Sequence, residues 1–142
     1  MLNKEIISVS LPTLNLNDSV IQTLEMMDEF HVSQLPVVDN GKYLGLVFEE
    51  DLMNLPADSL LQAAGERLSK VAVRAESHFI EAIQMANDYH LSVVPVIEQE
   101  GEYTGAISAT DLLHHLGKLT GASEPGAIIV LEMDQRNFSF SD

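Results

Sequence analysis

Apolar positions along this chain switch between helical and strand spacing, and the same switch is made twice. Val20, Ile21, Leu24 and Met27 recur at helical spacing with Gln22, Glu25, Asp28 and Glu29 between them, which predicts an amphipathic helix. Ser19 and Gln22 have the spacing of a capping box, with Asn17 or Asp18 as alternative caps. The helix is expected to end near Phe30 and His31. Residues 34–38 form a short β-branched run, Asp39-Asn40-Gly41 supplies the positive-φ residues of a tight hairpin, and residues 43–48 return as the paired strand. A further helix from Glu49 must stop before Pro56. Ahead of this block, residues 6–9 and 14–16 read as short strands separated by Pro12.

Residues 57–69 are helical in pattern through Leu60, Leu61, Ala64 and Leu68, and the order then repeats. A strand is expected at 71–73, a polar cap at Glu76-Ser77, and a helix carrying Phe79, Ile80, Ile83 and Ala86. A strand at 93–97, a turn at 98–102, a strand at 103–108 and a helix from Ala109 to about Thr120 follow, with Gly121 placed as a C-cap. Ile21, Met26, His31, Ser33, Pro36 and Val37 recur 59 positions later as Ile80, Met85, His90, Ser92, Pro95 and Val96. One extra hairpin residue shifts the register to 60, aligning Gly41, Tyr43, Gly45, Asp51 and Leu52 with Gly101, Tyr103, Gly105, Asp111 and Leu112. A unit written twice does not bury its apolar face alone, so each copy is expected to cover the other. In the tail, residues 127–133 read as a further strand and residues 138–142 as a helix cap, so that strand would pair with a partner edge or open another domain.

Composition narrows the function. A length of 142 residues suits one domain, or two small ones sharing a core, and 46% hydrophobic residues are ample for burial. The absence of cysteine excludes disulfides and thiolate chemistry. No apolar run is long enough to cross a bilayer and the start carries no secretory pattern, so a soluble cytoplasmic protein is expected. There are 22 acidic residues against 7 basic ones, a formal charge of −15. Such a surface repels nucleic acid and anionic membranes, and neither is expected as a partner. The acidity reads as solubility, with divalent-cation binding as the other reading. Ser-His-Asp, Gly-x-Ser-x-Gly, Walker, Rossmann and metal-ligand patterns are all missing, so the chain is not expected to be an enzyme.

Each copy carries a strand with an embedded proline, Leu35-Pro36-Val37-Val38 and Val94-Pro95-Val96-Ile97, then a glycine, two apolar residues and an Asp-Leu pair. This resembles the cystathionine-β-synthase (CBS) domain, and the tandem resembles a Bateman module. The tail resembles the opening strand and turn of an ACT domain, as in CBS–ACT proteins of the acetoin-utilisation type. The resemblance implies an α/β (α+β) fold: two βαββα repeats packed pseudo-two-fold, sheet to sheet, plus a C-terminal extra strand. The corresponding units are residues 1–62, 63–121 and the tail 122–142. It further implies a homodimeric regulatory module whose clefts bind an adenosine-type ligand such as AMP, ADP, ATP or S-adenosylmethionine. That ligand would be a regulator rather than a cofactor, and it would act on an attached or associated protein.

The chemistry concentrates at Ser108-Ala109-Thr110-Asp111, which matches the family's Ser/Thr-x-x-Asp nucleoside motif. Asp111 on the first helical turn can accept hydrogen bonds from both hydroxyls of a ribose. Ser108 and the unpaired N–H groups of the helix start suit a phosphate. The alternative is that Asp111 caps its helix and Ser108 is a surface hydroxyl. In the first copy Phe48, Glu49 and Glu50 replace Ser108, Ala109 and Thr110, which leaves Asp51 with a phenyl ring and two carboxylates that repel an anion. The resemblance also places Ser33, Gln34, Ser92 and Val93, together with backbone near residues 6–8 and 70–71, along the clefts, with core packing as the alternative. His31 and His90 read as helix-end residues, and the adjacent His114 and His115 face different directions on their helix, so a metal pair is not expected there. Two other functions stay open: a ligand-free dimerisation or protein-interaction module, and a divalent-cation sensor.

Overall fold

The structure, a computed structural model, describes residues 1–8 and 11–119. In chain order its elements are α1 (Val20–Phe30), β1 (Gln34–Asp39), β2 (Lys42–Phe48), α2 (Glu49–Leu52), β3 (Val73–Arg74), α3 (Phe79–Tyr89), β4 (Val93–Ile97), β5 (Tyr103–Ser108) and α4 (Ala109–Leu119), with 3₁₀ turns at Asn3–Glu5 and Leu61–Arg67. The strand and cap expected in the tail, and Gly121, lie outside the described residues.

Local signals account for the helix ends. The Ser19 hydroxyl accepts the Gln22 N–H at 3.1 Å, as the capping spacing predicts. The equivalent cap in the second copy is His78, not Glu76-Ser77: its Nδ1 accepts the Ile80 N–H at 3.2 Å. His31 and His90 both take the left-handed conformation at φ 56° and close their helices through backbone N–H groups. The buried face of α1 carries Val20, Thr23 and Met27, and that of α3 carries Phe79 and Ala82. Ile21 and Ile80, expected inside, are 49% and 52% exposed. Each follows a buried residue by one position, and neighbours on a helix stand about 100° apart, so both cannot face the core.

In both copies the hairpin is antiparallel, pairing Gln34 with Phe48 and Val93 with Ser108. Asn40 and Gly41 supply consecutive positive φ values of 50° and 79°, the turn that a right-twisted hairpin favours. The register slips at Val37/Val38 and again at Val96/Ile97, so the bulge is duplicated too. β3 adds a parallel third strand beside β4. Its counterpart in the first copy shrinks to a single parallel bridge, Leu14 to Val37. Leu14 donates to the Pro36 carbonyl at 2.9 Å and accepts from the Val38 N–H at 2.8 Å, bypassing the N–H that proline lacks.

The segments ahead of each copy cross over to the other. Residues 6–8 do not form the first copy's opening strand; instead the Ser8 N–H donates to the Ala106 carbonyl of β5 at 2.8 Å. Earlier in the same arm, Leu2 bridges His78, Asn3 N–H donates to Ser77 O at 2.9 Å and Lys4 N–H to Ala75 O at 3.0 Å. The linker reciprocates: Leu60 bridges Ser19, Leu61 N–H donates to Asp18 O at 2.9 Å, and Ser69 exchanges two hydrogen bonds with Leu46 of β2. This linker is a 3₁₀ run rather than the expected α-helix. Gly45 and Gly105 let the arms approach, because a Cβ on either would lie 2.7 Å from Leu68 Cβ or 2.5 Å from Ile7 Cγ2.

Two apolar clusters result, and neither belongs to one copy. The cluster around Val94, Val96 and Ile107 includes Ile6 and Leu46, and the one around Leu35, Val37 and Val47 includes Val93 and Ala106. The hairpin tips join across the pseudo-two-fold axis, where Tyr43 N–H donates to Gly101 O at 3.0 Å and Tyr103 N–H to Gly41 O at 2.8 Å. The two tyrosine rings stack with centroids 6.3 Å apart, and burial pushes the Tyr103 hydroxyl up to about 12. Each copy therefore covers the other, as duplication requires.

Candidate functional site

The β5–α4 junction brings three side chains together. Ser108 Oγ accepts the Asp111 N–H at 3.1 Å, capping α4. Ser8, arriving on the N-terminal arm, accepts the Ser108 N–H with its Oγ at 2.9 Å and donates to Asp111 Oδ2. The two serine oxygens are 3.5 Å apart. Ser108 and Asp111 are half-buried and Thr110 is exposed, so the constellation opens to solvent. The hydroxyl of Ser8 is a member that sequence reasoning missed, since residues 6–8 were placed at the cleft only by backbone. Its topological counterpart is Ser69, 61 positions later. That offset exceeds the 59 of the helices because the stretch from Ser8 to α1 is two residues longer than the stretch from Ser69 to α3.

The equivalent junction of the first copy is built differently. Phe48 precedes α2, and no side-chain cap bond is made there. Among the described residues no side chain donates to Asp51. Phe48 packs against the cluster formed mainly by the second copy. Glu49, Glu50 and Asp51 occupy the first turn of α2, where they take up its positive end. Backbone at the two junctions remains equivalent: Glu49 N–H donates to Ser33 O and Ala109 N–H to Ser92 O, each at 2.9 Å.

The residues before the strand prolines meet each other. Gln34 is 4% exposed, and its Oε1 accepts from the Ser92 N–H at 2.6 Å and the Ser92 hydroxyl at 2.8 Å. Ser92 Oγ in turn accepts the Ser33 N–H at 2.8 Å. Val93, which stands at the position equivalent to Gln34, is fully buried in the core. Ser33, Gln34 and Ser92 thus tie the copies together at the pseudo-axis, and the Gln34 and Val93 side chains are committed to the interior.

Two of the seven basic residues are engaged by carboxylates. Lys4 pairs with Glu76 at 2.8 Å, and that hydrogen bond raises the ammonium's pKa; Lys42 pairs with Glu102 at 3.1 Å and holds that carboxyl below its ordinary value. A depression of about 370 Å³ beside α1 is lined by Asp18, Glu25 and Glu29 with Leu14 and Met26. Its carboxylates disfavour a phosphate. His114 and His115 meet edge to face with ring centroids 5.9 Å apart. Among the described residues no three His, Asp or Glu side chains gather in a way that could hold a metal ion, and no helix is long and apolar enough to cross a membrane.

Comparison with known proteins fits this architecture. A CBS domain-containing protein of Dictyostelium discoideum is 29% identical over 136 residues, covering 84% of this chain and 93% of the relative. The fold superposes with a TM-score of 0.73 on a CBS domain pair/ACT domain protein of Thermotoga maritima, at 24% identity over 84% of this chain and 98% of that one. A protein assigned to acetoin utilization in Vibrio cholerae gives a TM-score of 0.70 at 19% identity, over 87% of this chain and 96% of that one. The CBS domain profile matches residues 4–58 and again residues 68–118, one match per repeat. The chain belongs to the CBS domain family and carries two CBS domains in tandem.

Proposed function

We propose that this chain is a regulatory module that binds an adenosine-type ligand at the Asp111 junction. The observation that carries the reading is the unequal pair of junctions. Ser108 and Asp111 place a hydroxyl and a carboxylate at an open helix start, whereas the first copy fills the same place with Phe48 and acidic residues. A carboxylate with a neighbouring hydroxyl suits a ribose diol through charge-assisted hydrogen bonds. Solved structures with this fold hold AMP in one case, 5′-methylthioadenosine and S-adenosyl-L-methionine in another, and ATP in the cytosolic domain of the Mg²⁺ channel MgtE. At −15 overall, a monophosphate or the cationic S-adenosylmethionine suits this chain better than a triphosphate.

The working units are residues 1–62 and 63–121, with the tail 122–142 leading to whatever the module regulates. The boundary falls within the crossed linker, so ligand-driven reorientation of one copy is transmitted to the other. Catalysis is no part of this reading, and the cytoplasm is its setting. A homodimer is part of this reading. The alternative reading is a ligand-free dimerisation or protein-interaction module. A divalent-cation sensor finds no support among the described residues.

Thermal-shift measurements with adenosine, AMP, ADP, ATP, S-adenosylmethionine and Mg²⁺ separate these readings. A ligand specific to the folded state adds about 2.7 kcal/mol at a hundred times its Kd. A shift with an adenosine compound that is lost in Asp111→Ala supports the proposal. No shift with any nucleotide favours the dimerisation module.

A further inference from the structure

Ser8 already occupies the place that a ligand hydroxyl needs. Its Oγ lies 3.5 Å from Ser108 Oγ, accepts the Ser108 N–H at 2.9 Å and donates to Asp111 Oδ2. A hydroxyl that bridges Ser108 and Asp111 would land on that oxygen. The geometry points to Ser8 as an intramolecular competitor, a hydroxyl from the N-terminal arm that caps Asp111 until a diol displaces it. This inference rests on the proposed adenosine site and adds its regulation.

The arm is well held, which makes the competition effective. Ser8 N–H donates to Ala106 O at 2.8 Å, Asn3 Nδ2 donates to Arg74 O at 2.8 Å, and Phe79 N–H donates to Met1 O at 3.0 Å. A tethered hydroxyl is present at high effective concentration, so the apparent affinity for a ligand falls by the fraction of time Asp111 stands uncapped. The contact also makes the site a composite: the carboxylate comes from the second copy and the competing donor from the arm ahead of the first. Ligand entry therefore detaches a side chain of the arm, and whatever strengthens the Ser8–Asp111 contact weakens binding correspondingly. The first copy lacks the device, since Phe48 stands where Ser108 would present its hydroxyl.

The sign of one substitution tests this. Ser8→Ala is expected to bind adenosine and AMP about three- to tenfold more tightly by calorimetry, the range of a modest hydrogen bond removed from the competing state. The same variant should melt at a lower temperature, because it has lost a contact of the free protein. Ser8→Thr keeps a hydroxyl and should stay near wild-type affinity, and Ser8→Gly serves in place of Ser8→Ala if that variant folds poorly. Weaker or unchanged binding in the Ala and Gly variants overturns the competitor and leaves the adenosine site standing. Binding seen only in the Ser8 variants would establish the capped state directly. If adenosine and AMP bind neither the wild type nor these variants, the adenosine reading falls, and the competitor falls with it.

Discussion

Gly45 and Gly105 occupy the same position in the two copies, yet alanine should cost different amounts at each. At Gly45 the backbone has φ +154°, and an added Cβ would meet Leu68 Cβ at 2.7 Å and the Ser69 carbonyl oxygen at 3.2 Å. The obstacles are backbone and a Cβ, neither of which can turn aside. Strained φ costs about 1–3 kcal/mol and overpacking about 1–3 kcal/mol. The smaller unfolded-state entropy of alanine returns roughly 0.5–1 kcal/mol. Gly45→Ala should therefore destabilise by about 1–5 kcal/mol. At Gly105 the close atom is Ile7 Cγ2 at 2.5 Å, on a half-buried side chain, and no positive φ is involved. Only the overpacking cost applies there, about 0–2.5 kcal/mol after the same entropic offset. Urea denaturation followed by circular dichroism measures both, with the midpoint moving and the slope holding. A double-mutant cycle adds the cause: Ile7→Ala removes the clashing methyl, so it should cost at least about 1 kcal/mol less in the Gly105→Ala background than alone. Equal costs at the two glycines would refute the added backbone strain at Gly45, and strict additivity in the cycle would refute the crossed-arm account of why position 105 lacks a side chain.

Three shorter expectations follow from the same contacts. Burial raises the Tyr103 hydroxyl to about 12 and also raises that of Tyr43; these folded values lie above the unfolded one near 10, so stability should hold below about pH 10 and fall by up to about 1.4 kcal/mol per pH unit per tyrosine above it. Tyr103→Phe should flatten that alkaline limb in unfolding experiments across pH. His78→Ala removes the acceptor that caps α3 and should cost about 1 kcal/mol, with His78→Ser restoring most of it in the same assay. Because each apolar cluster draws on both copies, the pair should unfold in one transition by resonances from either copy, and residues 1–62 alone should not fold; two resolved transitions would contradict this.

How far the sequence reached depended on the range of the interactions. The hairpins were legible because Asp39-Asn40-Gly41 and the proline strands act through their own neighbours. The α1 cap was legible for the same reason. The arms were not. Ile6-Ile7-Ser8 has the composition of a strand, but its pairing partner is Ala106, about a hundred positions away. Leu60, Leu61, Ala64 and Leu68 fit a helical spacing, yet the segment must also pair with Ser19 and Leu46 at its two ends, and an extended 3₁₀ run spans that distance where an α-helix is shorter per residue. At the candidate site, Ser108 and Asp111 were legible from an i, i+3 spacing on one junction. Ser8 was not, since no local pattern announces a hydroxyl that serves another copy's helix. Gln34 and Val93 were legible as equivalents, but only packing revealed that both point inward.

The crossed topology also explains which residues had to stay duplicated. Tyr43 and Tyr103 each donate to the opposite hairpin's glycine carbonyl, so a change that moves one turn leaves polar groups of both copies without partners. Such groups are costly to leave unpaired, and the turn glycines and the tyrosines that follow are accordingly kept in both hairpins, although the second turn is one residue longer. Position 48 and its equivalent 108 face no such reciprocal demand. Phe48 extends the apolar cluster it touches, whereas Ser108 leaves its helix start polar and open, capped only by groups that can exchange. A duplicated scaffold with one apolar and one polar junction can hold the copies together through the first and answer a ligand through the second. On the proposed reading this division is what the divergence accomplishes: restoring a serine at position 48 should weaken packing before it creates a second site, because Glu49, Glu50 and Asp51 still crowd that helix start with negative charge.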